Sequence, residues 1–323
     1  MSAIGSCGLE RRVGLLDGGL PGPSLVVVAG IHGNEPAGLR SARRLLEEVE
    51  ASRVEVRGRI EVLAGNLPAL ASRRRHVDRD LNRGWDRDAS EGVLSEDRDQ
   101  RELVRAFEGA ARAAGGPLLV ADLHSTSGGG PPFLCLADRP ENLRLGRATG
   151  IPMLLGIERA IGRGTLLEWL TGRGIANLAI EGGRHDDPST IENHVSALWL
   201  LLEVGGLVRP GSEPVERHRR RLAEVARGLP RAIDVLTRHP TAPGDGFRME
   251  EGLSNLQRVE RGRLLARDRR GEIRAPWDGI LLLPRYQPEG DDGFFLGRER
   301  DESSGPRAGP GAGSRPGMGA RDP

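Results

Sequence analysis

Short apolar runs alternate with helical patterns along most of this chain, and this alternation limits the fold more than any other feature. The first run, residues 24–31, is rich in β-branched residues and is bounded by Pro and Gly, which is typical of a buried parallel strand. Further strand patterns cover residues 55–64, 118–123 and 177–180, and a helical pattern covers residues 96–114. Strands that alternate with helices predict an α/β fold, here a three-layer α/β/α sandwich around a mostly parallel central sheet.

The pattern changes towards the C-terminus. A helix is predicted over residues 188–204, and a helical connector over residues 213–236. From about residue 241 to 298, short strands are separated by Gly and Pro, and residues 301–323 contain almost no apolar side chains. We therefore predict a large domain at residues 1–237, a small β-rich domain at 238–300 and a disordered tail at 301–323.

The chain contains no lysine, so all 47 basic side chains are arginine, against 46 Asp and Glu. Arginine does not lose its proton in a protein, which excludes Schiff-base chemistry, a phosphate-loop lysine and lysine-borne biotin or lipoate. The four Trp, one Tyr and five Phe are too few for stacking along a nucleic acid, and no basic stripe is present. We therefore expect no nucleic-acid partner.

The sequence also indicates the cellular compartment. Cys7 and Cys135 form neither a disulfide framework nor a Cys-x-x-Cys pair. The N-terminus lacks a basic start followed by an apolar run, and no stretch approaches the roughly 18 apolar residues of a membrane span. We expect a cytoplasmic protein that does not bind membranes, while its oligomeric state stays open.

Polar residues follow three of the predicted strands, where ligands bind in open α/β sheets. His32 and Glu35 come after the first strand, Asp122 and His124 end the middle strand, and Glu181 follows residues 177–180. A single strand-end histidine is usually structural, and H-x-x-E spacing is common by chance. Two histidines and a carboxylate from separate strand ends are nevertheless the donor set of catalytic zinc.

Asp122 is a candidate to orient one of these histidines. It lies two residues before His124, and therefore on the same side of the strand. We expect it to hold the imidazole of a metal ligand, namely His32, in one tautomer. A surface aspartate at a strand end is the alternative interpretation.

Five motifs, taken in order, resemble those of the succinylglutamate desuccinylase/aspartoacylase family, which belongs to the zinc carboxypeptidase superfamily. The likeness covers roughly residues 24–205 and is weaker in the β-rich C-terminal part. The motifs are His32-Gly-Asn-Glu35, Gly-Asn66-Leu-Pro-Ala, Arg75-His-Val-Asp-Arg-Asp80-Leu-Asn82-Arg83, Asp122-Leu-His124-Ser-Thr and Ala-Ile-Glu181-Gly-Gly.

The resemblance implies that His32, Glu35 and His124 bind one zinc ion per chain, and that Glu181 is the general base and acid. Zinc lowers the pKa of bound water from about 15.7 towards about 7 and polarises the scissile carbonyl. A nearby carboxylate then takes the water's proton and passes it to the leaving group. Covalent acyl transfer has no support, because the sequence lacks a G-x-S-x-G motif.

The resemblance also assigns roles to arginines. Arg75 would stabilise the developing oxyanion, although its position in a triple-Arg run also suits a solvated segment. Asn82 and Arg83 would hold a substrate carboxylate, and Arg173 is the nearest candidate for a further carboxylate-binding arginine. We therefore expect a small anionic substrate, and a pocket in which zinc, Arg75 and Arg83 outweigh the carboxylates.

These features together predict a zinc-dependent hydrolase that deacylates an N-acyl amino acid or a related small carboxylate, with residues 1–237 as its catalytic domain. Three alternatives remain: a zinc carboxypeptidase acting on peptides, an esterase, and a non-catalytic metal-binding protein. The roles of Tyr286 and His185 stay open, whereas Asp187 is expected to cap the helix that follows it.

Overall fold

The structure is a computed structural model that describes residues 9–162 and 164–301. Cys7 and the predicted disordered tail beyond Asp301 lie outside the described residues. Within the described ranges, no helix has both the length and the hydropathy needed to cross a membrane.

The described residues form eight α-helices, one 3-10 helix and fourteen strands. The helices are α1 Ala37–Ser52, α2 Leu67–Ser72, α3 Ser95–Ala113, α4 Pro140–Thr149, α5 Ile157–Ile161, α6 Leu166–Thr171, α7 Pro188–Val204 and α8 Glu213–Val225, with the 3-10 helix at Leu81–Arg83. The strands of the first 240 residues are β1 Arg12–Asp17, β2 Ser24–Ala29, β3 Arg59–Ala64, β4 Leu118–Thr126, β5 Phe133–Leu136, β6 Met153–Leu155, β7 Ala176–Arg184 and β8 Ala232–Pro240. The later strands are β9 Arg248–Met249, β10 Arg258–Val259, β11 Leu264–Asp268, β12 Gly271–Arg274, β13 Gly279–Leu282 and β14 Asp292–Glu299.

Eleven strands make one large sheet, in the order β1-β3-β2-β4-β7-β5-β6-β8-β14-β13-β10. Strands β3, β2, β4 and β7 are mutually parallel. Strand β5 is antiparallel to β7, and β5, β6 and β8 are again parallel to one another. The predicted α/β fold with a large, mostly parallel central sheet is therefore confirmed.

Helices cover both faces of this sheet, and the strand sequences show why. Every residue of β2 is buried, as expected for a strand packed on two sides. Leu25 and Val27 face a core that includes Leu45 of α1 and Leu198 of α7. On the opposite face, alternate β2 residues pack in a second core with α3 and α6. The result is the predicted helix–sheet–helix layering.

The C-terminal part differs from the prediction. The helical connector predicted over residues 213–236 is wrong beyond Val225, because Gly228 (φ +75°) and Pro230 interrupt the helix and residues 232–240 form β8. Strand β14 pairs with β8, so β10, β13 and β14 extend the central sheet. The predicted boundary at residues 237/238 falls inside β8, and among the residues that the structure describes only β9, β11 and β12 form a separate sheet.

Candidate active site

The first site loop connects β2 to α1 and packs tightly against α2. Gly30 has φ +78°, which favours glycine. A Cβ at Gly33 would lie 2.1 Å from the backbone carbon and oxygen of Ala69, so only glycine allows this approach. The tight turn brings His32 and Glu35 to the same side, at the carboxyl end of the parallel strands.

His32, Glu35 and His124 form one compact buried group. Nδ1 of His32 lies 2.8 Å from Oε1 of Glu35, and Nδ1 of His124 lies 3.1 Å from Oε2 of Glu35. The donor atoms of the three residues all lie within 4.8 Å of one another. Two imidazoles and a carboxylate fit a tetrahedral metal ion that keeps one open position.

Each histidine also contacts a carboxylate through its other ring nitrogen. Nε2 of His124 lies 2.8 Å from Oδ2 of Asp122, and Nε2 of His32 lies 3.1 Å from Oδ1 of Asp80. The expectation that Asp122 orients His32 is therefore wrong: Asp122 and His124 share one side of β4, while His32 lies on a separate loop. Asp80 was not among the predicted site residues, although it belongs to one of the five motifs.

Asp80 also holds Arg75. Nη2 of Arg75 lies 2.8 Å from Oδ2 of Asp80, and Nη1 lies 3.9 Å from Oε1 of Glu35. Burial opposes ionisation of Asp80, but Arg75 and then His32 bring its pKa well below the ordinary value. Arg75 is therefore largely enclosed, with 11% of its side chain exposed, and its guanidinium lies near the metal-ligand group, unlike a solvated arginine.

Glu181 lies on β7, directly opposite His124 of β4 in the parallel register. Its Oε2 atom is buried and has no hydrogen-bond partner among the described residues. The pKa of Glu181 is raised to about 7, first of all by burial; the charge of His124 opposes this rise, and the charge of Glu35 adds to it. A carboxyl group with this pKa can accept and release a proton near neutrality.

His194 of α7 supports the strand ends beneath this group and was not predicted from the sequence. Its Nε2 donates to the carbonyl oxygens of His124 and Ile180, at 2.8 and 3.2 Å. A Cβ at Gly182 would lie 2.5 Å from the ring, so the ring requires glycine there. Burial lowers the pKa of His194 to about 4, which keeps the imidazole neutral. No local pattern distinguishes it from other helix residues.

The metal-ligand group, Arg75 and Glu181 line one cavity together with Asn82 and Arg83. Asn82 is held by its Oδ1 atom, which accepts a 2.8 Å hydrogen bond from the amide of Leu166. Arg83 donates to Oδ2 of Asp292 at 2.6 Å. The C-terminal region supplies lining residues that were not predicted: Leu283, Arg285, Gln287, Glu289, Gly290 and Asp292.

Arg173 does not reach this cavity. Its guanidinium lies 3.6 Å from the ring centroid of Trp169 and donates to the carbonyl of that residue. Together with Trp85 it lines a separate groove. The prediction that Arg173 binds a substrate carboxylate is therefore corrected, because stacking on α6 directs its side chain elsewhere.

The remaining candidates have structural contacts. The hydroxyl of Tyr286 donates to the backbone of the turn at residues 250–253. The carbonyl oxygens of Glu250 and Leu253 lie 2.7 and 2.9 Å from it. His185 lies between Ser125 Oγ, 2.8 Å from its Nδ1, and Gln287 Oε1, 3.1 Å from its Nε2. Asp187 caps α7 as predicted, because its side chain accepts from the amide of Ser189 at 2.8 Å.

The expected positive balance of the cavity counts zinc as well as arginines, and the protein side chains alone do not supply it. Its described lining holds three arginines, but five carboxylates. They are Arg75, Arg83 and Arg285, against Glu35, Glu158, Glu181, Glu289 and Asp292. The three arginines alone therefore do not give the lining of the cavity a net positive charge.

The chain is similar to known proteins in sequence and in fold. A profile of the succinylglutamate desuccinylase/aspartoacylase catalytic domain matches residues 21–227. The succinylglutamate desuccinylase of Burkholderia lata is 28% identical over 268 residues, which cover 76% of this chain and 70% of that protein. A solved succinylglutamate desuccinylase from Chromobacterium violaceum superposes with a TM-score of 0.63 at 18% identity, covering 90% of this chain and 89% of the other. An aspartoacylase family protein from Mesorhizobium loti gives a TM-score of 0.63 at 20% identity, covering 87% of both chains.

Proposed function

The chain belongs to the succinylglutamate desuccinylase/aspartoacylase family of hydrolases, and on this premise we propose that it is a zinc-dependent deacylase of N-acyl amino acids or related small carboxylates. The observation that carries the proposal is the placement of His32, Glu35 and His124 beside Glu181 in one cavity. A member that had lost catalysis would have no need to retain both the metal-binding donors and the proton-transfer carboxylate.

His32, Glu35 and His124 are the residues that would hold the metal. Asp80 and Asp122 accept from the Nε2 atoms of the two histidines, which would leave the Nδ1 lone pairs, on the side of Glu35, available to a metal ion. Zinc, when bound, supplies a Lewis acid that polarises a carbonyl and makes water more acidic. The donor set contains two imidazoles, one carboxylate and no thiolate, and three protein donors would leave a tetrahedral zinc one position for water, so the group fits catalytic zinc.

Glu181 moves the protons of the reaction. The oxygen of a water molecule attacks the acyl carbon, and Glu181 takes the proton that this water releases. When the carbon–nitrogen bond breaks, the same proton passes to the leaving nitrogen. The elevated pKa of Glu181, caused first by burial, suits a group that must both take and give a proton near neutral pH.

Arginine side chains complete the proposed mechanism. Asp80 holds Arg75 beside the metal-ligand group, where its guanidinium can stabilise the negative charge that develops on the carbonyl oxygen. Asn82 and Arg83 bind the carboxylate of a small anionic substrate. Arg83 can exchange its contact with Asp292 for a bidentate contact with the substrate, because Asp292 also contacts Arg238.

The test combines metal analysis with a substrate screen. Protein purified without added zinc should contain about one zinc per chain, and removal of the metal should abolish release of free amino acids from N-acyl amino acids. Faster cleavage of peptides with free C-termini would favour the carboxypeptidase alternative, and faster cleavage of esters would favour an esterase. The absence of metal, together with no binding on zinc titration, would reject the proposal.

A further inference from the structure

One side of the cavity has an apolar wall that the proposed reaction does not use. It is formed by Cys135 of β5, Ile157 and Ile161 of α5, Leu167 of α6 and Ala179 of β7. These side chains belong to one hydrophobic cluster, so the wall is continuous. Together with Glu158, which also lines the cavity, we call this region the side pocket.

Glu158 is the charged group of the side pocket and lacks a good partner. Its Oε2 atom is buried and has no hydrogen bond within the described chain. Its Oε1 lies 3.8 Å from Nη1 of Arg159, which is beyond hydrogen-bond distance, and the Arg159 side chain is 57% exposed. Buried carboxylate oxygens are normally satisfied, so this one favours a donor that the protein itself does not supply.

The electrostatic surroundings of Glu158 are also unusual. Burial raises the pKa of its carboxyl group above the ordinary value; a hydrogen bond from its own backbone amide and the charge of Arg159 oppose this rise, and the charges of Asp138 and Glu168 add to it. Burial, followed by Glu181 and Glu158, raises the pKa of the Cys135 thiol, so this wall residue stays neutral.

The position of the side pocket identifies the part of a substrate that enters it. Ala179 lies two residues before Glu181, on the same side of β7. Leu167 follows Leu166, whose backbone N–H donates a hydrogen bond to the side chain of Asn82. The side pocket therefore opens into the same cavity as Glu181, which protonates the leaving nitrogen, and Asn82 and Arg83, which bind the substrate carboxylate. The leaving nitrogen, the carboxylate and the side chain are all attached to the Cα of the leaving amino acid, so this space is assigned to that side chain.

We propose that the side pocket selects a leaving amino acid whose side chain ends in an ammonium group, with Glu158 as the binding partner of that group. The inference rests on the proposed deacylase function and specifies its substrate class. The aliphatic stem of such a side chain covers the apolar wall while its cation reaches the carboxylate. A side chain that ends in a carboxylate is repelled there.

Binding of free amino acids tests the side pocket without requiring turnover. Ornithine, norleucine and glutamate have side chains of similar size, but the terminal group of the side chain is positive in ornithine, neutral in norleucine and negative in glutamate. Calorimetric titration of the metal-loaded protein should show ornithine binding about 10- to 100-fold more tightly than norleucine, with glutamate weakest. Equal or tighter binding of norleucine, or tightest binding of glutamate, would overturn the inference.

Two variants identify the residue responsible. Glu158→Gln should bring the ratio of ornithine to norleucine affinity to within about threefold, because the charge-assisted contact is lost. Glu168→Gln is the matched control: it removes a nearby charge of the same sign from a residue that does not line the cavity, and it should keep the preference. Retention of the full preference by Glu158→Gln would contradict the assignment.

Hydrolysis of the three N-acetyl derivatives separates this inference from the proposed function. The values of kcat/KM should follow the order of binding. An ornithine preference in titration without hydrolysis of any derivative would contradict the deacylase function and still support the side pocket. Hydrolysis of all three at similar kcat/KM, with no binding preference, would support the function and reject the role of Glu158.

Discussion

Oδ1 of Asp80 lies 3.1 Å from Nε2 of His32, although the two residues are 48 positions apart in the chain. The other oxygen of the same carboxylate lies 2.8 Å from Nη2 of Arg75. The Asp80 side chain also accepts from the amide of Asn82, at the start of the 3-10 helix. The Asp80 carboxylate therefore orients both His32, a proposed metal ligand, and Arg75, the proposed oxyanion-stabilising group. It also fixes the segment that carries Asn82 and Arg83, which are proposed to bind the substrate.

We predict that Asp80→Asn weakens zinc binding by about 10- to 100-fold and lowers kcat as well. The asparagine side chain has one oxygen, which can accept a hydrogen bond from either His32 or Arg75. Its NH₂ group cannot accept a hydrogen bond from the other residue. Zinc affinity should be measured by competition with a chelator, and kcat on the best substrate of the screen. Asp78→Asn is the control, since the Asp78 carboxylate accepts from Ser95 and contacts no ligand residue. Equal zinc affinities in the two variants would contradict the role of Asp80.

Glu181→Gln should keep the metal and lose nearly all turnover. Glutamine has almost the same shape, so the fold and the three donors stay in place, but it cannot accept a proton. The expected loss in kcat is about 100- to 10,000-fold, the usual contribution of a positioned general base. Zinc content and thermal stability, measured on the same preparation, show that the fold is retained. Near-wild-type turnover would reject Glu181 as the base.

Arg83 and Arg173 provide a matched pair of substitutions. Arg83 lines the cavity, whereas Arg173 stacks on Trp169 outside it. Arg83→Gln should raise KM for an anionic substrate by about tenfold or more, because a charge-assisted contact is lost. Arg173→Gln should leave KM and kcat within about twofold of wild type, since an exposed stacked side chain contributes little. A larger effect of Arg173→Gln on KM than of Arg83→Gln would reverse the assignment.

The sequence predicts the parts of the site that depend on local pattern. His32, Glu35, His124 and Glu181 each follow an apolar run, and parallel strands place their carboxyl ends at one edge of the sheet. The bounds of α7 were also predictable, because Asp187 and Pro188 mark its first turn. Both results come from signals that lie within a few residues along the chain.

Contacts between distant segments were not predictable in the same way. The pairing of His32 with Asp80 depends on how two loops separated by α1, β3 and α2 pack against each other, so Asp122 was the wrong partner to predict for His32. Arg285 enters the cavity from the C-terminal strands, which join the central sheet through β8 and β14. Strand order and loop packing determine these contacts, and neither has a local sequence signal.

Asn255 joins the C-terminal region to the turn after β4, and its removal should destabilise the protein. Its Nδ2 donates to Thr126 Oγ1 at 3.1 Å, and its Oδ1 accepts from the amide of Leu283 at 2.7 Å. Asn255→Ala leaves the half-buried amide of Leu283 without its acceptor and removes the donor to Thr126 Oγ1, which should lower the free energy of unfolding by about 1–3 kcal/mol. Urea unfolding measures the change. Gln257→Ala, which removes one contact in the same turn, should cost less; an equal or larger loss would contradict the role of Asn255.

His218 should make the stability of the protein depend on pH below neutrality. Burial lowers the pKa of its imidazole below the ordinary value, Glu48 opposes this change and Arg217 adds to it. The ring stays neutral between Ser196 Oγ, 2.9 Å from Nδ1, and Glu48 Oε2, 3.2 Å from Nε2. In the unfolded chain the same imidazole takes up a proton below about pH 6.5.

The sign of the effect follows from proton counting. Below about pH 6.5 the unfolded state binds more protons than the folded state, so the free energy of unfolding falls as the pH falls, by at most about 1.4 kcal/mol per pH unit for this group. The loss stops once the pH passes below the lowered pKa of folded His218. His218→Gln cannot titrate and should lose less stability than wild type between pH 7.5 and 5.5. Urea unfolding at both pH values measures the difference, and equal losses in the two proteins would show that His218 does not titrate on unfolding.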